Sequence, residues 1–128
     1  TIFEIIFNDL RKIKIIMEYY HNPRCSKSRE GISFLNEKNI YPEIIEYMKH
    51  PLSEDKIKSI LKLLKINAID LIRKNESIYK ENIKDKDLDE NQLITWMVKE
   101  PKLIERPIFV VKDKAVIGRP KFKLLEII

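Results

Sequence analysis

The chain has a single cysteine, two glycines, two histidines and one tryptophan among its 128 residues. One cysteine cannot close an intramolecular disulfide, which excludes a stapled secreted scaffold. Two Gly and six Pro leave no low-complexity linker. Two His and one Cys do not make a metal-ligand set, so no metal is expected. No run approaches the roughly 18 apolar residues of a membrane span. A concentrated run of one charge is missing too. Twenty-five Lys and Arg stand against 20 Asp and Glu, giving a net +5, and the two signs are interleaved along the chain. Nucleic-acid binders concentrate positive charge on one face, so neither nucleic acid nor membrane is expected as a partner.

What is present is a globular composition, 44% hydrophobic and 35% charged. The length suits one compact domain. The first residues, TIFEIIFNDLRKIKII, lack a small-residue cleavage site and a continuous apolar core, and so make a poor signal peptide. A monomeric cytoplasmic protein is the expectation.

Short Ile- and Tyr-rich runs alternate with helical spacing. Ile15 to Tyr20, stopped by His-Asn-Pro, reads as a strand running into a turn. Ser26 to Asn39 reads as a helix and Glu43 to Tyr47 as a second strand. Ser53 is a candidate N-cap, with Glu54 and Asp55 at the positive dipole end. Behind it Ile57, Ile60, Leu61 and Leu64 form one apolar stripe. Residues 67–84 are less regular and predict short helical turns. Asp89 with Gln92 forms a capping box, and Leu88 with Leu93 a hydrophobic staple. That helix continues its inner face through Trp96 and Met97 to Pro101. Pro107-Ile-Phe-Val-Val, Lys112-Asp-Lys and Ala115-Val-Ile read as a hairpin, and Lys121 to Ile128 as a last helix. The order predicts an α/β fold: a mixed four-stranded sheet with flanking helices and an all-helical insertion. Its first strand pair should be parallel and its last antiparallel.

Cys25 falls where the first strand meets the first helix. The unpaired N–H groups and positive dipole end of that helix favour thiolate, which is the nucleophilic form. His21, Arg24, Lys27 and Arg29 add charge or donors nearby. His21 is a candidate for holding Cys25 ionised. Ser28, one helical turn on, is a candidate hydroxyl donor to the sulfur. Arg73, Arg106 and Arg119 stand out by context, the last two because each precedes a proline beside the hairpin. Together with Cys25 they outline an oxyanion pocket, since planar guanidinium forks suit a tetrahedral anion.

These residues resemble one family. Tyr20-His-Asn-Pro-Arg-Cys-Ser-Lys-Ser-Arg29 is similar to the active-site loop of the glutaredoxin-coupled arsenate reductases. Leu71-Ile-Arg-Lys-Asn75, Ile104-Glu-Arg-Pro107 and Ile117-Gly-Arg-Pro120 are similar, in order, to that family's three arginine segments. The resemblance runs from about Met17 to Ile128. It therefore sets residues 1–14 apart as an N-terminal extension outside the core, with 15–128 as the domain. It implies a thioredoxin-like fold and a cis Pro107. It implies that Cys25 attacks arsenate while Arg73, Arg106 and Arg119 hold the oxyanion, and that a small thiol such as glutathione, with a glutaredoxin, restores the enzyme. No organic cofactor is expected. The loop also resembles the Spx-type regulators, which bind RNA polymerase, and a related thiol reductase acting on another small oxidant is a third reading. The redox-switched regulators carry Cys-x-x-Cys, and Ser28 occupies the second position here.

Overall fold

The computed structural model describes residues 16–128. The proposed extension, residues 1–14, and the first residue of the expected opening strand, Ile15, lie outside the described residues.

Four strands form one sheet: β1 (Met17–His21), β2 (Glu43–Glu46), β3 (Ile108–Val111) and β4 (Lys114–Ile117), in the order β2-β1-β3-β4. The β1–β2 pair is parallel, and β1–β3 and β3–β4 are antiparallel. The expected mixed α/β sheet is therefore present. The first strand starts later than expected and runs one residue further, because His21 still pairs with Glu46 on β2.

Alternation along the strands divides the core into two clusters on opposite faces. Tyr20, Ile108 and Val110 point to one face, where they meet Tyr47, Ile57, Ile60, Leu71, Leu93 and Met97. Tyr19 and Phe109 point to the other, against Leu35 and Leu124. The first face is covered by α2 (Glu54–Leu64), α3 (Ala68–Leu71), α4 (Ser77–Asn82) and α5 (Glu90–Lys99), which make up the helical insertion. The second is covered by α1 (Ser26–Glu37) and a 3-10 segment, Lys121–Ile127.

The caps follow the sequence. Ser53 accepts a hydrogen bond from the Lys56 N–H, and Asp89 and Gln92 close the capping box of α5. Three details differ from the sequence reading. Helix α1 stops at Glu37, because Asn39 takes a left-handed φ of 62°. On α5 the buried face is Leu93, Ile94 and Met97, while Trp96 is half-buried with the Lys99 ammonium 5.0 Å above its ring. The C-terminal segment is 3-10 rather than α, and in it only Leu124 is buried. Among the described residues no helix is long and apolar enough to cross a membrane.

Candidate active site

The site forms where the C-terminal end of β1 turns into α1. The turn is closed locally. The Cys25 N–H donates to the Asn22 carbonyl at 3.0 Å, and the Arg24 N–H donates to Asn22 Oδ1 at 3.1 Å, an Asx-type turn. Arg29 donates to the Pro23 carbonyl at 2.8 Å from the first helical turn. Cys25 is itself the N-cap residue of α1, with extended backbone angles of φ −94° and ψ 121°. Its half-buried side chain thus sits over the open N–H groups of the first turn.

Those groups decide the state of the thiol. Burial pushes the Cys25 thiol up. The Ser28 backbone N–H, the Arg106 and Arg119 side chains and the Lys27 N–H pull it down by more, and the balance falls at about 7. The direct side-chain contact is Arg119 Nη2 donating to Cys25 Sγ at 3.2 Å.

Ser28 and His21 occupy places other than the expected ones. The Ser28 side chain is fully buried. Its Oγ accepts from the Asn22 N–H at 3.0 Å and lies 2.7 Å from His21 Nδ1. The hydroxyl is therefore engaged inside the turn, and it is the Ser28 backbone N–H that favours the thiolate. His21 is 8% exposed. Burial lowers its pKa, with Glu46 opposing and Arg29 reinforcing the shift. A ring kept neutral at pH 7 brings no positive charge to the sulfur, and its polar contact is with Ser28. The two side chains bond each other and the turn backbone rather than the sulfur.

The three arginines are held in different ways, and Arg106 and Arg119 are the two that act on the Cys25 thiol. Arg119 follows β4. Its Nε donates to the Arg106 carbonyl at 2.8 Å, while the Gly118 N–H donates to the Pro107 carbonyl at 2.9 Å. The Arg106–Pro107 and Arg119–Pro120 peptide bonds are both cis. Arg106 is 8% exposed and donates through Nη1 to the Lys102 carbonyl at 3.1 Å. Arg73 comes from the helical insertion. An isolated antiparallel bridge, Ile72 with Ile104, ties its segment to the one that carries Arg106. Two bonds flank that bridge: the Arg73 N–H to the Leu103 carbonyl at 2.7 Å and the Glu105 N–H to the Leu71 carbonyl at 2.8 Å. Arg73 Nη1 is paired with Glu76 Oε1 at 2.7 Å. A groove of about 500 Å³ opens beside the cysteine loop, lined among others by Asn22, Arg24, Glu46, Glu76 and Arg106.

Sequence reasoning missed three contributors. Asn22 was legible in the His-Asn-Pro turn, because Asn before Pro favours turn initiation. Tyr19, whose hydroxyl donates to the Ser28 carbonyl at 2.6 Å, carried no signal beyond strand alternation. Glu76 was visible three residues after Arg73, but only as an ordinary short-range pair. Among the described residues no group of three or more His, Cys, Asp or Glu stands close enough to hold a metal.

Chemically, the arrangement joins a thiolate available near neutral pH to planar cationic donors. Comparisons with known proteins place the chain in a family. The model of the ArsC family matches residues 20–127. An arsenate reductase of Haemophilus influenzae is 40% identical over 111 residues, 85% of this chain and 96% of that protein. The uncharacterized protein YfgD of Escherichia coli is 46% identical over 114 residues, 88% of this chain and 96% of that protein. The solved structure of an arsenate reductase from Vibrio cholerae superposes with a TM-score of 0.85 at 39% identity, covering 89% of this chain and 98% of that one. With nearly the whole described chain matched in sequence and in its thioredoxin-like fold, this protein belongs to the ArsC family.

Proposed function

We propose that the protein reduces arsenate to arsenite through a covalent adduct on Cys25, using thiols from outside the chain. The observation that carries the reading is the Arg119 Nη2 to Cys25 Sγ contact at 3.2 Å, made by a thiol whose pKa lies near 7. It puts a nucleophile and an anion-binding donor at one point. The named activities of the relatives support the choice of arsenate.

Arsenate is held by Arg73, Arg106 and Arg119. The Cys25 thiolate attacks arsenic(V), an S–As bond forms and one oxygen leaves as water after taking up protons. The arginines stabilise the charge that shifts onto the remaining oxygens. A small thiol such as glutathione then attacks the Cys25 sulfur. The S–As bond breaks, its electron pair stays with arsenic, and arsenite departs. Two thiols have lost two electrons to one arsenic, and Cys25 is left as a mixed disulfide. A glutaredoxin-type thiol restores it by exchange. The external thiol follows from the count of sulfhydryls, since Cys25 is the only cysteine in the chain. His21 and Ser28 serve this scheme by holding the loop. No organic cofactor or metal takes part.

The test is arsenate with glutathione and no glutaredoxin. Intact-mass spectrometry should show protein carrying one glutathione on Cys25, and Cys25→Ser should carry none. Repeated turnover with no added thiol would sink the scheme.

A further inference from the structure

Two grooves border the cysteine loop, and they share no lining residue. The one of about 500 Å³ carries Arg106 and Glu76, the partner of Arg73. The other, of about 360 Å³, is lined by Lys27 and Glu30 of α1 and by Arg119, Pro120, Lys121 and Phe122 after β4. Arg119 joins this second groove to the reacting sulfur. Its Nη2 donates to Cys25 Sγ at 3.2 Å, and its Nε to the Arg106 carbonyl at 2.8 Å. Holding arsenate beside Arg106 and Arg73 leaves the second groove without a task.

The lining of that groove has a definite chemistry. Three cations, Lys27, Arg119 and Lys121, stand against one carboxylate, Glu30, which pairs with Lys27 at 3.5 Å. The Lys121 ammonium lies 5.5 Å from the Phe34 ring centre and 5.8 Å from that of Phe122. Among the described residues no carboxylate pairs with it. Phe122 is 65% exposed, yet it packs edge-on against the buried Phe34 with ring centres 5.6 Å apart. An exposed ring fixed in place, with uncompensated cations around it, suits a small molecule that has anionic ends and an apolar middle. Glutathione has two terminal carboxylates, one ammonium, and its thiol between them.

We propose that the groove of Lys27, Arg119, Lys121 and Phe122 is the docking site of the small thiol, with Lys121 and Arg119 taking its carboxylates. The proposal rests on the thiol-dependent reading of Cys25. Displacement at sulfur is in-line, so the entering and leaving atoms stand on opposite sides of the sulfur attacked. With arsenic bonded to Cys25 Sγ and held on the Arg106 side, the second thiol enters from the other side. Its S–S bond to Cys25 forms as the S–As bond breaks, and the electron pair of that bond leaves with arsenic.

The test uses no arsenate. Cys25 thiolate attacks an added disulfide, the S–S bond of that disulfide breaks, one thiolate leaves, and Cys25 is left as a mixed disulfide. Intact-mass spectrometry follows the rate with glutathione disulfide and with the uncharged 2-hydroxyethyl disulfide. The ratio of the two rates cancels any change in the reactivity of the sulfur itself. Wild type should favour glutathione disulfide. Lys121→Glu should lower the ratio about tenfold, by reversing one charge at the docking site, and Lys121→Gln should lower it less. Lys49→Glu, which reverses a charge in the other groove, should leave the ratio within twofold. Raising the salt concentration should shrink the wild-type preference. A ratio unmoved by Lys121→Glu would overturn the proposal, as would a wild type with no preference or a larger loss in Lys49→Glu. Slower release of glutathione by glutaredoxin in Lys121→Glu, with the ratio unmoved, would assign the surface to a protein instead. A wild type that shows the expected ratios but never turns arsenate over would refute the reductase reading and leave the docking site standing.

Discussion

The two walls of the active site are built in opposite ways. The cysteine wall comes from residues 19–29, and its side-chain hydrogen bonds span at most nine residues of sequence. The arginine wall is assembled across the chain: Arg119 meets a cysteine 94 residues away, and Arg73 arrives through a bridge between residues 72 and 104. A local wall is fixed by turn and helix-start chemistry. A distant wall exists only if strand order and register are correct. The local wall sets the charge on sulfur mainly through backbone N–H groups, which substitution does not remove. The distant wall acts through side chains, which substitution does remove. Changes on the two walls should therefore have different signatures.

Loss of the sulfur itself gives the largest effect. Cys25→Ser should lower arsenate reduction by at least about 10³-fold in a coupled thiol-oxidation assay, with the fold retained. It should also flatten part of the pH dependence of stability. The folded thiol, at about 7 against 9.0 for the free group, is depressed. Its contribution is fully present above pH 9 and is lost as pH falls through 7. Equal pH dependence in wild type and Cys25→Ser would show that the thiol is not depressed.

Arg119→Lys should come next, with turnover down about 10²-fold. Lysine keeps a charge but cannot bond both Cys25 Sγ and the Arg106 carbonyl as the guanidinium does. Removing a donor to the thiolate raises the thiol pKa. The midpoint of iodoacetamide alkylation should therefore move upward from about 7. An unmoved midpoint would leave the sulfur's charge to the backbone N–H groups and Arg106.

Arg73→Lys should cost less, about tenfold in the arsenate concentration for half-maximal rate, because Arg73 is already paired with Glu76 at 2.7 Å. Glu76→Gln sharpens the point. It frees Arg73 and removes a negative charge, so half-saturation should fall. A rise would mean that Glu76 orients Arg73 rather than competing with the anion.

Ser28→Ala tests the local wall and should affect turnover least. It leaves the buried Asn22 N–H without its acceptor and should lower stability by about 1–3 kcal/mol in thermal or denaturant unfolding. The thiol midpoint should move less than in Arg119→Lys, because the Ser28 backbone N–H remains.

Much of the local wall was legible before any coordinates. A cysteine between a Tyr-rich strand and a helix start, after His-Asn-Pro, gives turn, cap position and thiolate tendency from short-range chemistry. The roles inside that wall were not legible. A sequence cannot show that the Ser28 hydroxyl faces Asn22 and His21, because that depends on which side of the first helical turn is buried. His21 reads as a charged neighbour of the thiol until burial lowers its pKa. On the distant wall, proline context marked Arg106 and Arg119, but no local signal joins either of them to Cys25.

By itself, the sequence determined the periodicities that make four strands and their covering helices, the caps at Ser53 and Asp89, and the single cysteine at the start of the first helix. These depend on residue type and near-neighbour spacing, where energies are short-ranged. Only the tertiary structure decided that β3 lies beside β1, so that the end of the hairpin delivers Arg106 and Arg119 to the helix start at Cys25. It also decided that the helical insertion hands Arg73 back across one bridge. Those contacts form between residues that share no local signal, and they are fixed by the one sheet order that buries both apolar faces at once.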